Sequence, residues 1–143
     1  MTHIRDVASF ILNKVGPMTA MKLQKLAYYA QAWALVWDET PIFEDDFQAW
    51  ANGPVAPALY AIHAGQFIVT ADVIGGDPSR ISAVHQETIN SVLDFYGNKS
   101  AQVLSDLTHS EAPWLDARGD LNPGERGSAV ISKASMAEYY GSL

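Results

Sequence analysis

The central helix of the fold is predicted by the stretch Thr19-Ala20-Met21-Lys22-Leu23-Gln24-Lys25-Leu26-Ala27-Tyr28-Tyr29-Ala30-Gln31-Ala32-Trp33-Ala34-Leu35-Val36-Trp37. Thr19 is a suitable N-cap, because its hydroxyl can accept a hydrogen bond from the first turn. A broad apolar stripe follows, formed by Leu23, Leu26, Ala27, Ala30, Trp33, Ala34 and Trp37. Such a stripe is typical of a helix in the core. The other side of the helix carries Lys22, Gln24, Lys25, Tyr28 and Gln31.

A second informative stretch, Ala49-Trp50-Ala51-Asn52-Gly53-Pro54-Val55-Ala56-Pro57, follows this helix. Gly53 can adopt backbone conformations closed to other residues, and Pro54 fixes its own φ, so the joint is suited to holding a shape. Pro57 is well placed at the first position of a third helix that Gly65 would end. Trp50 is of a residue type favoured both in cores and in interface hot spots, and the pattern leaves these alternatives open.

The remaining patterns predict a mainly α fold, α+β at most, with about six helices and one small β element. A first helix covers Ile4 to Val15, with Thr2 as its N-cap, and the best strand candidate is Phe67 to Ile74. That strand needs a partner, either Ala129 to Ile131 or the stretch before Gly53. Further helices are expected after Asp77, after Ser100, up to Arg118 and from about Lys133.

Length and composition are those of one globular protein. The 143 residues suit a single domain spanning 1-143, and the apolar content of 48% argues against disorder. The chain has no cysteine, which excludes disulfides and thiolate metal sites. Its longest apolar run, Ala32 to Trp37, is far shorter than the ~20 residues of a membrane-spanning helix. We therefore expect a cytoplasmic protein without membrane contact.

The net charge of −7 is concentrated in one segment, because no lysine or arginine occurs between Leu26 and Ser79. Such a face would repel a phosphate backbone, so we expect no nucleic acid partner. Two interpretations of the segment remain open: a solvated acidic region, or a surface complementary to a basic protein partner.

No catalytic constellation is evident. Two His-x-Glu pairs, at His85 and His109, lack the cysteines that a zinc deaminase adds to that spacing. Ser105 or Ser110 beside His109 would be a hydrolase pair only with triad geometry, which adjacency in sequence does not provide. The glycine-rich turn at Gly75-Gly76 lacks the ending of a phosphate loop. We expect no enzyme activity, no cofactor and no metal site.

Three stretches together resemble the Panacea domain, the family of SocA-like antitoxins. They are Lys22 to Gln31, the segment Phe47-x-Ala49-Trp50-x-Asn52-Gly53-Pro54-Val55-x-Pro57-x-x-Tyr60, and Thr108-His109-x-Glu111-x-Pro113-Trp114-x-x-Ala117-Arg118. The closing Ile131-Ser132-x-x-x-Met136-x-x-Tyr139-Tyr140 also fits the family's last helix. Single pieces would be weak, but the combination is specific and covers nearly the whole chain in order.

The resemblance implies an antitoxin of a bacterial or phage toxin–antitoxin system that neutralises a cognate toxin by direct binding. Family members sometimes involve an ATP-dependent protease, so the alternative is a proteolytic adaptor or general interaction module. A prophage setting and homo-oligomerisation both fit the family. The residues that we expect to contact the partner are Gln24, Tyr28, Tyr29, Glu44, Asp45, Asp46, Trp50, Asn52 and Trp114. Those expected to form structural motifs are Gly53, Pro54, Pro57, Pro113 and Arg118.

Overall fold

A computed structural model describes residues 1–143 and has a mainly α fold, as predicted. Its elements are α1 (Ile4–Val15), β1 (Met18–Thr19), α2 (Ala20–Trp37), β2 (Phe47–Trp50), β3 (Gly53–Val55), α3 (Pro57–His63), β4 (Ile68–Val69), α4 (Ala71–Ile74), a 3₁₀ turn (Pro78–Arg80), α5 (Ala83–Tyr96), α6 (Ala101–His109), α7 (Ala112–Arg118), β5 (Val130–Ile131) and α8 (Lys133–Gly141). No helix is both long enough and apolar enough to cross a membrane.

Helix α2 is the centre of the molecule, as its stripe predicts. It packs against α1, α5, α6, α8 and β3, and its residues contribute to a single cluster of 32 buried apolar side chains. The prediction that α2 has a polar outer side is wrong, because neighbours surround it. The side chains that this burial covers are Gln24, Lys25, Tyr28, Tyr29 and Gln31. Its two ends reach solvent, where Met21 is 37% and Trp37 is 53% exposed.

The buried polar side chains of α2 form hydrogen bonds with backbone groups of the surrounding loops. Gln31 shows the principle: its Nε2 donates to the Phe43 carbonyl over 2.7 Å, and its Oε1 accepts from the Ile42 N–H over 2.8 Å. A buried amide that satisfies both of its ends in this way carries no desolvation penalty. The loop that follows α2 is therefore held against the helix.

The β structure is larger and differently placed than predicted. Strands β3, β2 and β5 form an antiparallel sheet, and β1 pairs with β4. The predicted strand Phe67 to Ile74 shrinks to Ile68–Val69, followed by α4. Its two suggested partners, the stretch before Gly53 and Ala129 to Ile131, pair with each other instead. A helical turn buries Ile74 in the core, so tertiary packing overrides the β propensity of this segment.

Two helix starts also differ from the sequence prediction, and there are eight helices rather than about six. The N-cap of α1 is His3, because the Thr2 hydroxyl donates to the Arg80 carbonyl instead. The long helix α5 begins after Ser82, whose hydroxyl caps it. The predicted start at Asp77 is only the entry to the 3₁₀ turn. Pro57 does begin α3, as predicted.

Candidate functional site: a clamped hairpin and its cavity

Strands β2 and β3 form a hairpin whose turn is Ala51-Asn52, with Trp50 paired to Gly53. Pro54 lies on β3, the outer strand of the sheet, where the missing N–H interrupts no ladder. Gly53 has φ of 116°, and a Cβ there would come within 2.6 Å of Lys25 Cε and 2.9 Å of Thr108 Oγ1. Both the backbone conformation and the close approach of α2 and α6 therefore require glycine.

Five backbone carbonyls of this hairpin accept hydrogen bonds from side chains of other elements. The pairs are Arg118 with the carbonyl of Ala49 (3.3 Å), Trp114 with that of Trp50 (2.8 Å), His109 with that of Ala51 (2.9 Å), Ser105 with that of Asn52 (2.8 Å) and Lys25 with that of Pro54 (3.2 Å). Four of these donors lie on α6 and α7, and one lies on α2. The three sequence stretches that resemble the Panacea domain therefore meet at one hairpin and hold its backbone.

Trp50 has a different place from Trp114. Trp114 is 7% exposed, and its indole N–H is used on the Trp50 carbonyl. Trp50 is only half-buried, with its indole N–H donating to Gln48 Oε1 over 2.8 Å. Its ring packs at a steep angle on Tyr60, with 5.0 Å between centroids. The hairpin is thus fixed at its backbone, while the side chain of Trp50 remains accessible.

A cavity of about 650 Å³ lies between this aromatic pair, the first turns of α2 and the loop at 126–128. Its inner end holds two polar groups of α2. Gln24 Oε1 accepts from the Ala56 N–H (2.9 Å), and Gln24 Nε2 lies 2.9 Å from His63 Nε2. Burial lowers the pKa of His63, so this imidazole is neutral near pH 7 and its Nε2 can accept from Gln24.

Lys25 lines the same cavity and is 1% exposed. Burial lowers the pKa of its ammonium group to about 8, which still leaves most of it charged at neutral pH. No carboxylate lies within ion-pair distance of it, since the ion pairs of the chain involve Asp77, Asp38 and Asp46. The cavity therefore contains a buried cation without a counter-ion.

The predicted partner-contacting residues do not form one surface. For four of them the prediction of a surface position is wrong, because the hairpin and the neighbouring helices cover their side chains. These four are Gln24, Tyr28, Tyr29 and Trp114. Trp50 and Asn52 line the cavity. Glu44, Asp45 and Asp46 precede β2, at about 13 Å (Asp46) to about 20 Å (Glu44) of extended chain from Trp50. There Asp45 accepts from the Ile4 N–H, and Lys133 contacts Asp46.

The residues predicted as structural motifs lie at the clamp and at helix starts. Arg118 is buried and also holds the carbonyls of Asn122 and Glu125. Pro113 lies in the first turn of α7. Sequence reasoning did not single out the cavity residues Lys25, Tyr60, His63 and Arg126. Lys25 lies within the helical stretch Lys22 to Gln31 that resembles the family, but a sequence pattern does not show that a lysine is buried.

The histidine pairs do not assemble a reaction centre. His85 lies 3.0 Å from the Thr40 hydroxyl and 3.9 Å from Asp38, at the surface between α2 and α5. His109 and Ser105 form hydrogen bonds with the carbonyls of Ala51 and Asn52, respectively. No group of three or more His, Asp and Glu side chains is arranged to hold a metal ion.

Comparison with known proteins gives one consistent result. Residues 23–115 match the family model described as "Antitoxin SocA-like, Panacea domain". The chain is also similar to "Antitoxin SocA" of Caulobacter vibrioides (strain NA1000 / CB15N), with 32% identity over an alignment of 127 residues that covers 77% of this chain and 67% of that protein. No solved structure matches the chain. The matched segment contains α2 from Leu23 onward, the hairpin, α6 and Trp114.

Proposed function

This chain belongs to the SocA-like antitoxin family defined by the Panacea domain, and we propose that it neutralises a cognate protein toxin by binding it directly. The observation that carries the proposal is the clamped hairpin. Four side chains from the family stretches, together with Ser105, hold its backbone, and this arrangement leaves the Trp50 ring accessible at the rim of a cavity. A rigid, half-exposed tryptophan beside a pocket is the usual form of an interface hot spot.

The surroundings of the rim support the same surface. Large apolar side chains are exposed there: Met21 (37%), Tyr60 (43%), Phe67 (78%) and Ile68 (49%). Met21 and Tyr60 line the cavity, and the Phe67 carbonyl accepts from the N–H of Ala20, another lining residue. Exposed apolar side chains grouped around a pocket are typical of a protein-binding surface. The acidic residues Glu44, Asp45 and Asp46 would then be a separate, secondary contact.

The test is co-expression of this chain with the gene that adjoins its own. We expect the neighbour's product to be toxic alone and harmless when this chain is present, and we expect Trp50→Ala to weaken binding by about 2 kcal/mol or more, as at other tryptophan hot spots. Affinity of the purified pair gives the number, and a thermal melt shows that the variant is folded.

Trp37→Ala is the matched control. Trp37 is also an exposed tryptophan, but it lies at the far end of α2, about 24 Å from Met21 at a rise of about 1.5 Å per residue. Equal losses in both variants would contradict a surface centred on Trp50, and a neighbour that is not toxic would contradict the antitoxin role. A shortened toxin half-life in the presence of this chain would instead favour the adaptor role with an ATP-dependent protease.

A further inference from the structure

Lys25 has more hydrogen-bond donors than the protein uses. An ammonium group carries three N–H donors, and the one acceptor within reach in the folded chain is the Pro54 carbonyl, 3.2 Å away. A buried charge normally has an ionised or multiply hydrogen-bonded partner, because desolvation is costly. Here the partner is absent, although Lys25 is buried in a chain with almost twice as many acidic as basic residues.

The charges around the cavity all have the same sign. Arg126 lies at the mouth and Lys25 at the inner end, and no aspartate or glutamate is among the residues that line the cavity. His63, which also lines the cavity, is neutral near pH 7 because burial lowers its pKa. The first turn of α2, with its partial positive charge, also borders the space. The cavity is thus a basic site in an acidic protein.

The walls of the cavity are apolar. Trp50 and Tyr60 form one side, and Met21, Val55 and Ala20 contribute further apolar surface. A space of about 650 Å³ falls within the usual range of small-ligand pockets, which combine apolar walls with a few polar groups that set orientation. A ligand here would place a flat or apolar body against the aromatic pair and its charge at Lys25.

We propose that this cavity is a binding site for a carboxylate group carried on an apolar or aromatic body. The carboxylate oxygens accept from Lys25 inside and from Arg126 at the mouth, while the body packs against Trp50 and Tyr60. Lys25 is the buried cation, whereas Arg126 is exposed and its charge is screened by solvent. The inner end therefore balances one negative charge, as a carboxylate carries, rather than the nearly double charge of a phosphate. The group could be supplied by a free small molecule or by a chain end or acidic side chain of a protein partner, because both present the same chemistry.

The test uses sodium benzoate as the probe and benzamide, its uncharged counterpart of the same shape. The indole N–H signals of a ¹⁵N-labelled sample report binding, and Trp50→Phe identifies the signal of Trp50. We expect benzoate to shift this signal saturably at neutral pH, with benzamide binding about tenfold or more weakly, because a charge-assisted hydrogen bond is lost.

Variants locate the charge. Lys25→Met keeps the length of the side chain, and we expect it to weaken benzoate binding about tenfold or more. Arg126→Gln changes an exposed residue at the mouth, and we expect a smaller loss. Lys99→Met, which removes the same charge at the end of α5 near Phe95, should bind benzoate like the unmodified chain. If Lys25→Met does not fold, Arg126→Gln and the benzamide comparison decide the question alone.

The proposal is overturned if benzoate causes no saturable shift, if benzamide binds equally well, or if folded Lys25→Met binds benzoate unchanged. A second titration, of the toxin into Lys25→Met, rests on the proposed function and identifies the source of the carboxylate. If the toxin supplies it, Lys25→Met weakens toxin binding about as much as it weakens benzoate binding. If a small molecule supplies it, Lys25→Met leaves toxin affinity unchanged, even where the toxin covers the mouth of the cavity. The first titration needs no toxin, so the site and the antitoxin role can fail independently.

Discussion

Two ionisable side chains lie at the central helix α2 without an opposite charge beside them: Lys25, on the helix itself, and Glu111, which contacts it. Their hydrogen-bonding groups find partners in different ways. Glu111 Oε1 accepts from the hydroxyls of Tyr29 and Tyr140, each over 2.7 Å. The Tyr140 oxygen also lies 3.2 Å from the Tyr28 hydroxyl, from which it can accept. Lys25 has one carbonyl and an open cavity. The carboxylate lies in a closed hydrogen-bond network, whereas the ammonium has donors left over.

The difference separates a structural site from a binding site. The tyrosines around Glu111 also contact one another: Tyr29 stacks on Tyr96 at 4.1 Å between centroids, and Tyr28 meets Tyr140 edge-on at 6.1 Å. Such a network joins α2, the start of α7 and α8. Around Lys25 the same helix leaves space, and unsatisfied donors that face a cavity are available to something outside the chain.

The largest effect is expected where the hairpin touches Lys25. Gly53→Ala adds a Cβ within 2.6 Å of Lys25 Cε at a φ of 116°, so it combines backbone strain with a clash and should lower the free energy of unfolding by about 3 kcal/mol. Gly124→Ala is the control, since Gly124 has φ of 83° but nothing within 4 Å. It should cost about 1 kcal/mol, from backbone strain alone. Denaturant melts measure both values, and equal losses would show that the close approach to Lys25 is not costly.

Glu111 gives the next largest effect. Glu111→Ala leaves the Tyr29 and Tyr140 hydroxyls without their acceptor and should lower the free energy of unfolding by about 2 kcal/mol. Glu111→Gln keeps an acceptor oxygen and removes the charge. Burial raises the pKa of Glu111, so folding makes the charged carboxylate more costly than it is in the unfolded chain. The glutamine variant avoids this cost and should be as stable as the unmodified chain, or more so, at neutral pH.

The pH dependence at Glu111 follows from the same shift. Its pKa is raised in the folded state, so just above the ordinary pKa of glutamate the folded protein binds more protons than the unfolded one. Stability therefore decreases as the pH rises through that range. Glu111→Gln should remove this decrease. A glutamine variant with the same slope as the unmodified chain would show that Glu111 titrates as in the unfolded state.

The titration of Lys25 should have the smallest effect on the free energy of unfolding. Stability should increase with pH there, whereas it decreases with pH at Glu111. Its pKa in the folded protein is lowered to about 8 from an ordinary 10.5, so above about pH 8 the unfolded chain binds more protons and stability increases with pH. The gain between about pH 8 and pH 9.5 should be about 1.5 kcal/mol. At higher pH the raised pKa values of Tyr28, Tyr29 and Tyr140 oppose it. Denaturant melts across this range measure the gain, Lys25→Met should abolish it, and Lys99→Met should retain it.

Much of the helical architecture could be predicted from the sequence, because its signals are local. The stripe of α2, the Thr19 and Ser100 caps, Pro57 at the start of α3 and the final helix from Lys133 all depend on residues a few positions apart. The segment Phe67 to Ile74 was mispredicted, since β-branched residues suit both a strand and a buried helical turn, and only packing decides between them.

The candidate site was predictable only in part. Trp50 and Asn52 were identified because an aromatic residue beside a Gly-Pro joint is visible in the sequence. The tyrosines of α2 were predicted to lie at a surface because their side of the helix is polar in the pattern, but Tyr96 of α5, Tyr140 of α8 and Phe47 of β2 pack against them. Lys25 and Arg126 are about a hundred residues apart, so no local pattern can show that they border one cavity.

By itself, the sequence determined that α2 is the central helix, that Gly53-Pro54 is a constrained joint and that the chain resembles the Panacea family, because each conclusion follows from short-range chemistry or from order along the chain. The tertiary structure alone decided what the family stretches do. Hydrogen bonds between residues 29 to 69 positions apart turn them into a clamp on one hairpin. Which side of α2 is buried, and that Lys25 faces a cavity without a counter-ion, depend on elements that meet only when the chain folds.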